Sequence, residues 1–558
     1  MKSIKHILLV VMLLSLLPGC EDYLSDNRDP DAVDVVPPDQ IMPVVLFYSA
    51  LQNYDHSEYG TYLSQNITTA GRSQTGAYAY RSGWEFLGMN RHPQWRRHYY
   101  DIGSNANELI SLAKEENSVN YVAVTRLIRL LSTQMTTDVF GDMPRTEAYK
   151  SSSPKYDTQE SIYEWMNTEV DDLIELFNSE EVSQPTNRNM DFSVDRIFGG
   201  DMERWKQVAY ALKARILLRQ IPNITQEAGV AQEILNAAET ALSGWHDPIY
   251  NFEGGSSVEK NCMWGRTNSP INGWESRAND LGGAIPTKFF LEEVMDYDAE
   301  TDTCPDPRLP FLMEKRGEAS VDEVDEWKTR YENPENPEDA IDYATFKTLI
   351  DGVEEWTYMS LESNIGMPAT HKIEWYPNLY DNVLTTDTSS IILITKGELH
   401  FIASEAAFWA GQKPLAVTHM KEGIRYHMNR MGVPADRIQA YLNNPNVVPG
   451  DANITLSDIM IEKYKALFLQ PELWNDMRRY GYSNDLNNRR YKNTVIYPGL
   501  RRPHNLYDAY WSQEGEWIQR LNYDPETEEK YNRDELIRLG AFRNPEWLKQ
   551  PMIWAPQN

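Results

Sequence analysis

The chain has 558 residues, with 83 Asp and Glu against 53 Lys and Arg, which gives a formal net charge of −30. Such an acidic surface repels nucleic acid and anionic lipid head groups, and we exclude both as partners of the folded part. Attachment to a membrane would therefore have to come from a covalent lipid. The length suggests three or four domains, although a helical superhelix of this size can form one body.

The first 22 residues have the layout of a secretory signal. Two lysines precede a nearly unbroken apolar run from 7 to 17. As a helix this run spans roughly 17 Å, which is too short for a hydrocarbon core of about 30 Å. Gly19 directly precedes Cys20, and this ending resembles a bacterial lipobox, in which the cysteine is lipidated. We predict a signal peptide over 1–19 and lipidation at Cys20; an ordinary signal with an incidental cysteine is the alternative.

Residues 20–38 are acidic and contain several prolines, so we predict an extended tether between the lipid and the folded body. The acidic pair Glu21 and Asp22 resembles the surface-export signal of Bacteroidetes lipoproteins. This resemblance predicts a lipid-anchored protein on the outer face of the outer membrane.

Residues 39–245 show repeated helical periodicity, with apolar side chains at i, i+3 and i+4 between glycine or proline stops. The predicted helices cover about 40–52, 95–106, 120–139, 158–177, 202–221 and 228–242. They occur in pairs that present stripes of apolar and small residues, as tetratricopeptide-like solenoids do. We therefore predict an all-α fold, a tetratricopeptide-like helical superhelix.

The periodicity stops over 246–390, which is rich in glycine, proline, asparagine and acidic residues. Only 289–295 and 346–350 have a helical pattern there. A long irregular insertion in a helical protein is usually functional, so we assign this segment to ligand binding. Helix pairs return over 391–480, with a break expected near Gln470 because Pro471 follows. We predict a mostly irregular tail over 481–558 and a single compact body over 39–558.

Four segments resemble motifs of the SusD/RagB family, in the order that the family has them. They are 138–148 (DVFGDMPRTEA), 306–309 (DPRL), 398–407 (ELHFIASEAA) and 459–481, which contains the sequence LWNDMRRYG. The resemblance covers nearly the whole mature chain. It implies a lipoprotein built on tetratricopeptide-like repeats that acts as a lid on a SusC-like TonB-dependent outer-membrane transporter. The implied function is capture of an oligosaccharide for import, and RagB-like members imply a peptide as the alternative ligand.

Catalytic motifs are weak in this sequence. Two SxxK matches, at 152–155 and 257–260, lack the accompanying motifs of acylating serine enzymes, and no metalloprotease, nucleophile-elbow, Walker A or dinucleotide pattern occurs. We predict a binding protein and not an enzyme. A surface glycoside hydrolase stays as the alternative from another class, because 83 acidic residues leave many possible carboxylate pairs, although no motif singles one out. A purely structural lid is the remaining alternative.

One acidic loop places carboxylates at alternate positions, as the start of an EF-hand does. They belong to Asp296, Asp298, Glu300 and Asp302. The sixth position is Thr301 instead of glycine and the twelfth is Pro307 instead of glutamate, which excludes an EF-hand. We predict no cofactor; an irregular calcium site and a solvated acidic loop both stay open.

Two glycine-bearing loops, 72–84 and 264–277, combine the aromatic faces and planar polar groups that a sugar needs. The ligand-binding residues that we predict are Tyr78, Tyr80, Arg81 and Trp84 in the first loop and Trp264, Arg266, Asn268 and Trp274 in the second. For each aromatic side chain, packing beneath its loop is the alternative.

Apart from Cys20, the cysteines are Cys262 and Cys304. They could form a disulfide across about forty residues or remain two buried thiols, and spacing alone does not decide. The absence of any CxxC pair argues against a structural zinc site.

Overall fold

The computed structural model describes residues 36–71, 79–89, 92–220, 227–267, 281–316, 321–346, 358–369 and 371–556. The signal peptide, Cys20 and most of the tether lie outside these residues. In the described part, no helix is both long enough and apolar enough to cross a membrane.

The helices are α1 Pro38–Leu63, α2 Ala79–Gly83, α3 Pro93–Arg96, α4 Asn105–Glu115, α5 Val119–Phe140, α6 Gln159–Asn178, α7 Met202–Leu218, α8 Glu227–Leu242, α9 Leu309–Leu312, α10 Val321–Glu332, α11 Lys396–Trp409, α12 Lys413–Met431, α13 Ala435–Leu442, α14 Leu456–Ala466, α15 Glu472–Arg479, α16 Arg533–Leu539 and α17 Pro545–Lys549. Short π-helical turns at Arg97–Ser104, Phe289–Val294 and Pro525–Glu529 add to them. The strands are β1 Ile67–Thr69, β2 Ile249–Tyr250, β3 Ala284–Pro286 and β4 Ile391–Ile392, paired as β1 with β3 and β2 with β4.

The long helices stack in sequence, each against the next. α4 packs on α5, α5 on α6, α6 on α7 and α7 on α8. α8 then packs directly on α11, and α11 packs on α12. This is the predicted tetratricopeptide-like superhelix. The irregular segment between α8 and α11 is thus an insertion that leaves the stack unbroken.

Side-chain caps, glycine and proline determine several helix ends. The Thr158 side chain accepts a hydrogen bond from the Ser161 amide and caps α6. Gly432 lies in the left-handed region, with φ of 84°, and ends α12. The break expected near Gln470 is confirmed, since α14 ends at Ala466 and α15 begins at Glu472.

The first helix is longer than its pattern indicates. It was expected to end near residue 52, but α1 continues to Leu63. Its second half is buried on all sides, with Tyr54 in the core and polar residues such as Asp55 and Glu58 buried as well. A helix that is surrounded by protein has no solvent-facing side, so it shows no amphipathic period.

The insertion and the tail also differ from expectation. The insertion contains an unpredicted helix, α10, and the pattern at 289–295 corresponds to a π-helical turn. Most of 346–350 lies outside the described residues. The tail is irregular, but it belongs to the core: the tryptophans at 511, 517, 547 and 554 are all buried. One continuous hydrophobic core includes residues from Ile41 to Ala555.

Cys262 and Cys304 are separate thiols in the structure. Cys262 is buried, and Cys304 donates a hydrogen bond to the Met295 carbonyl. Burial raises the pKa of both thiols to about 12, so neither is a reactive thiolate at neutral pH.

Buried ion pairs connect the superhelix from one end to the other. Arg219, the residue that directly follows α7, bonds to Asp138 at 2.9 Å and also pairs with Glu472. Arg215, one turn earlier, pairs with Glu398 at 2.8 Å and lies 3.8 Å from Glu472. Burial alone would raise the pKa of Glu472, but Arg219 and Arg215 outweigh it and lower the pKa to about 2. The carboxylate is therefore charged at neutral pH.

Two further buried ion pairs extend this pattern. Arg479 pairs with Glu405 at 2.8 Å, which joins α15 to α11. Arg308 pairs with Glu462 at 2.6 Å, which joins the insertion to α14. All four family-like segments of the sequence thus contribute buried charges, and their resemblance reflects how the scaffold is held together.

We expect Arg479→Met to lower the free energy of unfolding by about 3–5 kcal/mol, because the buried carboxylates of Glu405 and Asp476 would then share Lys463 as their counter-charge. Urea unfolding followed by circular dichroism measures the change. Arg543→Met is the matched control, since Arg543 is 70% exposed in its pair with Glu529 and should change stability by less than about 1 kcal/mol. Equal effects of the two substitutions would contradict this account of the network.

Candidate ligand-binding site

The two loops predicted to bind ligand begin and end on one antiparallel ladder. Thr69 of β1 is opposite Ala284 of β3, and the Ala70 amide donates to the Gly283 carbonyl at 2.9 Å. The first loop leaves this ladder directly after β1, and the second returns to it directly before β3. The end of β1 and the start of β3, which are far apart along the chain, therefore lie side by side.

Arg266 of the second loop lies at the surface beside this ladder. Its guanidinium stacks over the Tyr380 ring, 4.7 Å from the centroid, and pairs with Asp381 at 2.6 Å. A third contact reaches the Asn378 side-chain oxygen at 3.3 Å. Arg266 is half exposed, so these contacts fix the guanidinium while one side of it faces solvent.

A cavity of about 170 Å³ opens next to Arg266. We call it the Arg266 cleft, and define it by Arg266, Arg316, Tyr376, Asn378 and Tyr380. The Arg316 Nε is buried and has no hydrogen-bond partner. The cleft thus combines two guanidinium groups, an amide and aromatic rings, which is the mixture that sugar recognition requires.

Asp381 is held in its charged form. Its hydrogen bonds from Arg266 lower the pKa of the carboxyl, and they outweigh the partial burial that would raise it. A carboxyl of this kind is a poor general acid, because general acids in glycosidases have raised pKa values.

The other predicted residues of the first loop pack inward. The Tyr80 hydroxyl donates to Glu58 at 2.8 Å, and Arg81 pairs with the same carboxylate. Both residues are buried, and they fasten α2 to α1. Trp84 is completely buried and packs edge-on against Trp511, with ring centroids 5.3 Å apart. These side chains follow the alternative of packing beneath the loop, and their rings do not face solvent in this structure.

Trp264 in the second loop is also buried, at 5% exposure, and packs against Tyr54 with ring centroids 4.7 Å apart. Tyr78, Asn268 and Trp274 lie outside the described residues, and their role in ligand binding stays a prediction. Among the described candidates, Arg266 is therefore the one at the surface.

Sequence reasoning missed the residues that surround Arg266. They lie in the stretch 374–382 (EWYPNLYDN), whose mixture of aromatic residues, asparagine and proline matches the two loops that were selected. That composition was the available signal. Composition does not show that the stretch 374–382 packs next to Arg266, which is more than a hundred residues away in sequence.

The acidic loop of the possible calcium site does not form a metal cage. Asp298 accepts hydrogen bonds from the Glu300 amide and from Thr301, which closes its own turn. Asp302 pairs with Lys315. Among the residues that the structure describes, no three His, Cys, Asp or Glu side chains are grouped so as to hold a metal ion.

At least three larger cavities lie elsewhere in the described part of the chain, and the smallest of the three, of about 310 Å³, is lined by Asp296 among others. One, of about 630 Å³, opens beside the start of α1 and is lined by Phe47, Tyr48 and Lys260 among others. The second, of about 330 Å³, lies between α5, α6 and the segment 143–150. Neither includes a residue that the sequence predicted as a ligand contact.

The fold and the cleft together define a helical-repeat protein with a small polar and aromatic surface cleft. A family model described as "SusD-like: Starch-binding associating with outer membrane" matches residues 35–498. The chain therefore belongs to the SusD-like family. None of the curated protein sequences matches it.

Solved structures show the same fold. A SusD/RagB family protein from Bacteroides thetaiotaomicron aligns over 94% of this chain and 100% of its own, with 17% identity and a TM-score of 0.65. A chitin-binding SusD homologue from Flavobacterium johnsoniae aligns over 93% and 99%, with 15% identity and a TM-score of 0.60. At these identities the similarity establishes the fold.

We expect Trp84→Ala to lower the free energy of unfolding by about 3–5 kcal/mol, because it removes a fully buried indole. Arg266→Ala should change stability by less than about 1 kcal/mol, since its ion pair with Asp381 is half exposed. Chemical denaturation of the two variants compares a core position with a surface one. A small effect of Trp84→Ala would show that the ring is not part of the core.

Proposed function

We propose that the protein is a cell-surface lipoprotein that captures an oligosaccharide and passes it to a SusC-like TonB-dependent transporter. The observation that carries the proposal is the match to the SusD-like family over residues 35–498. The lipobox-like ending at Cys20 and the acidic residues after it support anchoring at the outer surface. The relatives that are named for chitin binding support a glycan as the ligand class.

The Arg266 cleft is the site that we propose for the glycan. A sugar ring can pack its apolar face on an aromatic surface while planar guanidinium and amide groups bond to its hydroxyls. Arg266 is already positioned by Tyr380 and Asp381, so little side-chain freedom is lost on binding. The cavity is small, and we therefore expect it to hold one sugar unit while the rest of the chain lies outside.

Binding without cleavage fits the charges of this cleft. A glycosidase needs a protonated carboxyl as its acid and a second carboxylate on the other side of the bond. Asp381 has a lowered pKa and is committed to Arg266. It therefore lacks the property of the acid, and we propose no reaction.

Peptide capture is the second candidate function. The guanidinium groups of Arg266 and Arg316 are hydrogen-bond donors of the kind that bind the carboxylate at a peptide C-terminus. Both candidate functions use the same cleft on the same helical fold, and they differ only in the class of ligand.

Isothermal titration of the full mature chain should show binding of maltoheptaose or chitohexaose, with Arg266→Ala weakening it roughly ten-fold or more. Arg543→Ala, an exposed arginine paired with Glu529, is the control and should bind as the parent does. If a mixed tripeptide pool binds and neither glycan does, the ligand is a peptide and the glycan proposal is wrong. Unchanged glycan affinity in Arg266→Ala would remove the site from the Arg266 cleft.

Cys20→Ser should release the protein from the membrane fraction, because the anchor that we propose is the lipid on this cysteine. Metabolic labelling with a radioactive fatty acid and fractionation of cells that carry the variant measure the effect. Cys262→Ser is the control, since Cys262 is buried in the folded body. A Cys20→Ser protein that is still labelled and held at the surface would refute the anchor.

A further inference from the structure

A second cavity has the opposite charge from the rest of the protein. It has a volume of about 330 Å³ and lies on the side of the superhelix formed by α4, α5, α6 and the segment after α5. We call it the basic pocket. Its charged and aromatic walls are Arg129, Arg145, Lys150, Tyr99, Tyr149 and Trp165.

None of the three cations of the basic pocket forms an ion pair within the part of the chain that the structure describes. Arg129 donates to the Asn107 side-chain oxygen at 2.7 Å, and Lys150 donates to the Thr146 carbonyl at 2.7 Å. The Arg145 Nε is buried and has no hydrogen-bond partner. By contrast Arg126, three residues before Arg129 on the same helix, pairs with Glu169 at 2.8 Å.

Two carboxylates in or next to the segment 143–150 accept hydrogen bonds from backbone groups. Asp157 accepts hydrogen bonds from the amides of Arg145 and Thr146 at 2.8 and 2.9 Å. Glu147 accepts one from the Lys155 amide at 3.0 Å. In a chain with a net charge of −30, three cations thus surround one cavity without a direct carboxylate partner in the described residues.

His98 at the edge of the pocket adds no charge. Burial lowers its pKa to about 3, with smaller contributions from Arg129 and His56, so the imidazole is neutral at physiological pH. Its Nδ1 is 2.9 Å from the Ser132 hydroxyl. The positive charge of the basic pocket therefore comes from its arginine and lysine side chains.

Aromatic rings make the walls flat. The Arg145 guanidinium stacks over the Trp165 ring, 4.9 Å from its centroid. The hydroxyls of Tyr99 and Tyr149 both donate to backbone carbonyls, at Pro144 and at Tyr99, with distances of 2.7 and 2.9 Å. Since these hydroxyls are already bonded, the two tyrosines offer their rings to a ligand more than their polar tips.

Tyr149 is fixed in an unusual backbone conformation, with φ of 64°. Its hydroxyl fits against Gly103, where any Cβ would collide with it. A non-glycine residue held in this region costs of order 1 kcal/mol or more, so the surrounding contacts determine the position of the wall. The position of the Tyr149 wall of the pocket is thus determined by the fold.

We propose that the basic pocket binds an acidic sugar unit, a pyranose that carries a carboxylate or a sulfate. Arg129, Arg145 and Lys150 supply charge-assisted hydrogen bonds to the anionic group, and Arg has the planar fork that suits both oxyanions. Trp165 and the two tyrosine rings pack against the pyranose. The acidic surface around the pocket disfavours long polyanions, which makes a single charged unit the ligand that fits.

This site is separate from the Arg266 cleft and does not depend on the function proposed there. Titration of the full mature chain with trigalacturonate, galactose 6-sulfate and neutral galactotriose tests it. We expect at least one of the two acidic probes to bind ten-fold or more tightly than the neutral one. The carboxylate and sulfate arms show which oxyanion the pocket prefers.

Arg129→Gln and Lys150→Gln should each weaken the binding of the acidic probe by roughly ten- to hundred-fold. Arg126→Gln, whose partner is Glu169 outside the pocket, should leave it within about two-fold of the parent. Lys150 is exposed, so that variant keeps the test valid if Arg129→Gln folds poorly. Equal binding of acidic and neutral sugars, parental affinity in both pocket variants, or tighter binding of tetraglutamate than of either acidic sugar would overturn the proposal.

Discussion

Pairing between buried charges is the constraint on which the scaffold depends. Arg215 on the last turn of α7 and Arg219 directly after it reach Glu398 on α11, Asp138 at the end of α5 and Glu472 on α15. Burying a charge without its partner costs several kcal/mol. The helices therefore favour the arrangement in which every one of these buried charges is paired. We infer that the network selects this arrangement of helices, while apolar burial supplies most of the stabilising free energy.

This rigid scaffold explains where ligands can be recognised. The irregular insertion enters and leaves between α8 and α11, which contact each other directly, and its described parts form the Arg266 cleft beside the β1–β3 ladder. The basic pocket is built differently, from side chains of the helices themselves. One proposed site therefore belongs to the insertion and the other to the repeat.

The sequence predicts the repeat well because amphipathic periods and caps are local signals. The start of α6 at Thr158 and the break before α15 follow from such signals. The second half of α1 was missed because a helix buried on all sides carries no period. Trp84 was read as a loop aromatic because glycines flank it, and only the distant tail containing Trp511 shows that it is core. Arg266 was predicted, but its partners Tyr380 and Asp381 are brought to it by tertiary structure, which no local pattern encodes.

The way the insertion is attached has a consequence for the divergence of such proteins. Because its two ends are clamped by helices that already touch, the chain between them closes a loop whose entropy cost rises by only about 0.6 kcal/mol for each doubling of its length. Relatives can therefore exchange, lengthen or shorten this segment at little thermodynamic expense while the repeats stay the same. A single architecture can in this way acquire new ligand preferences while the folding of its repeats is unchanged.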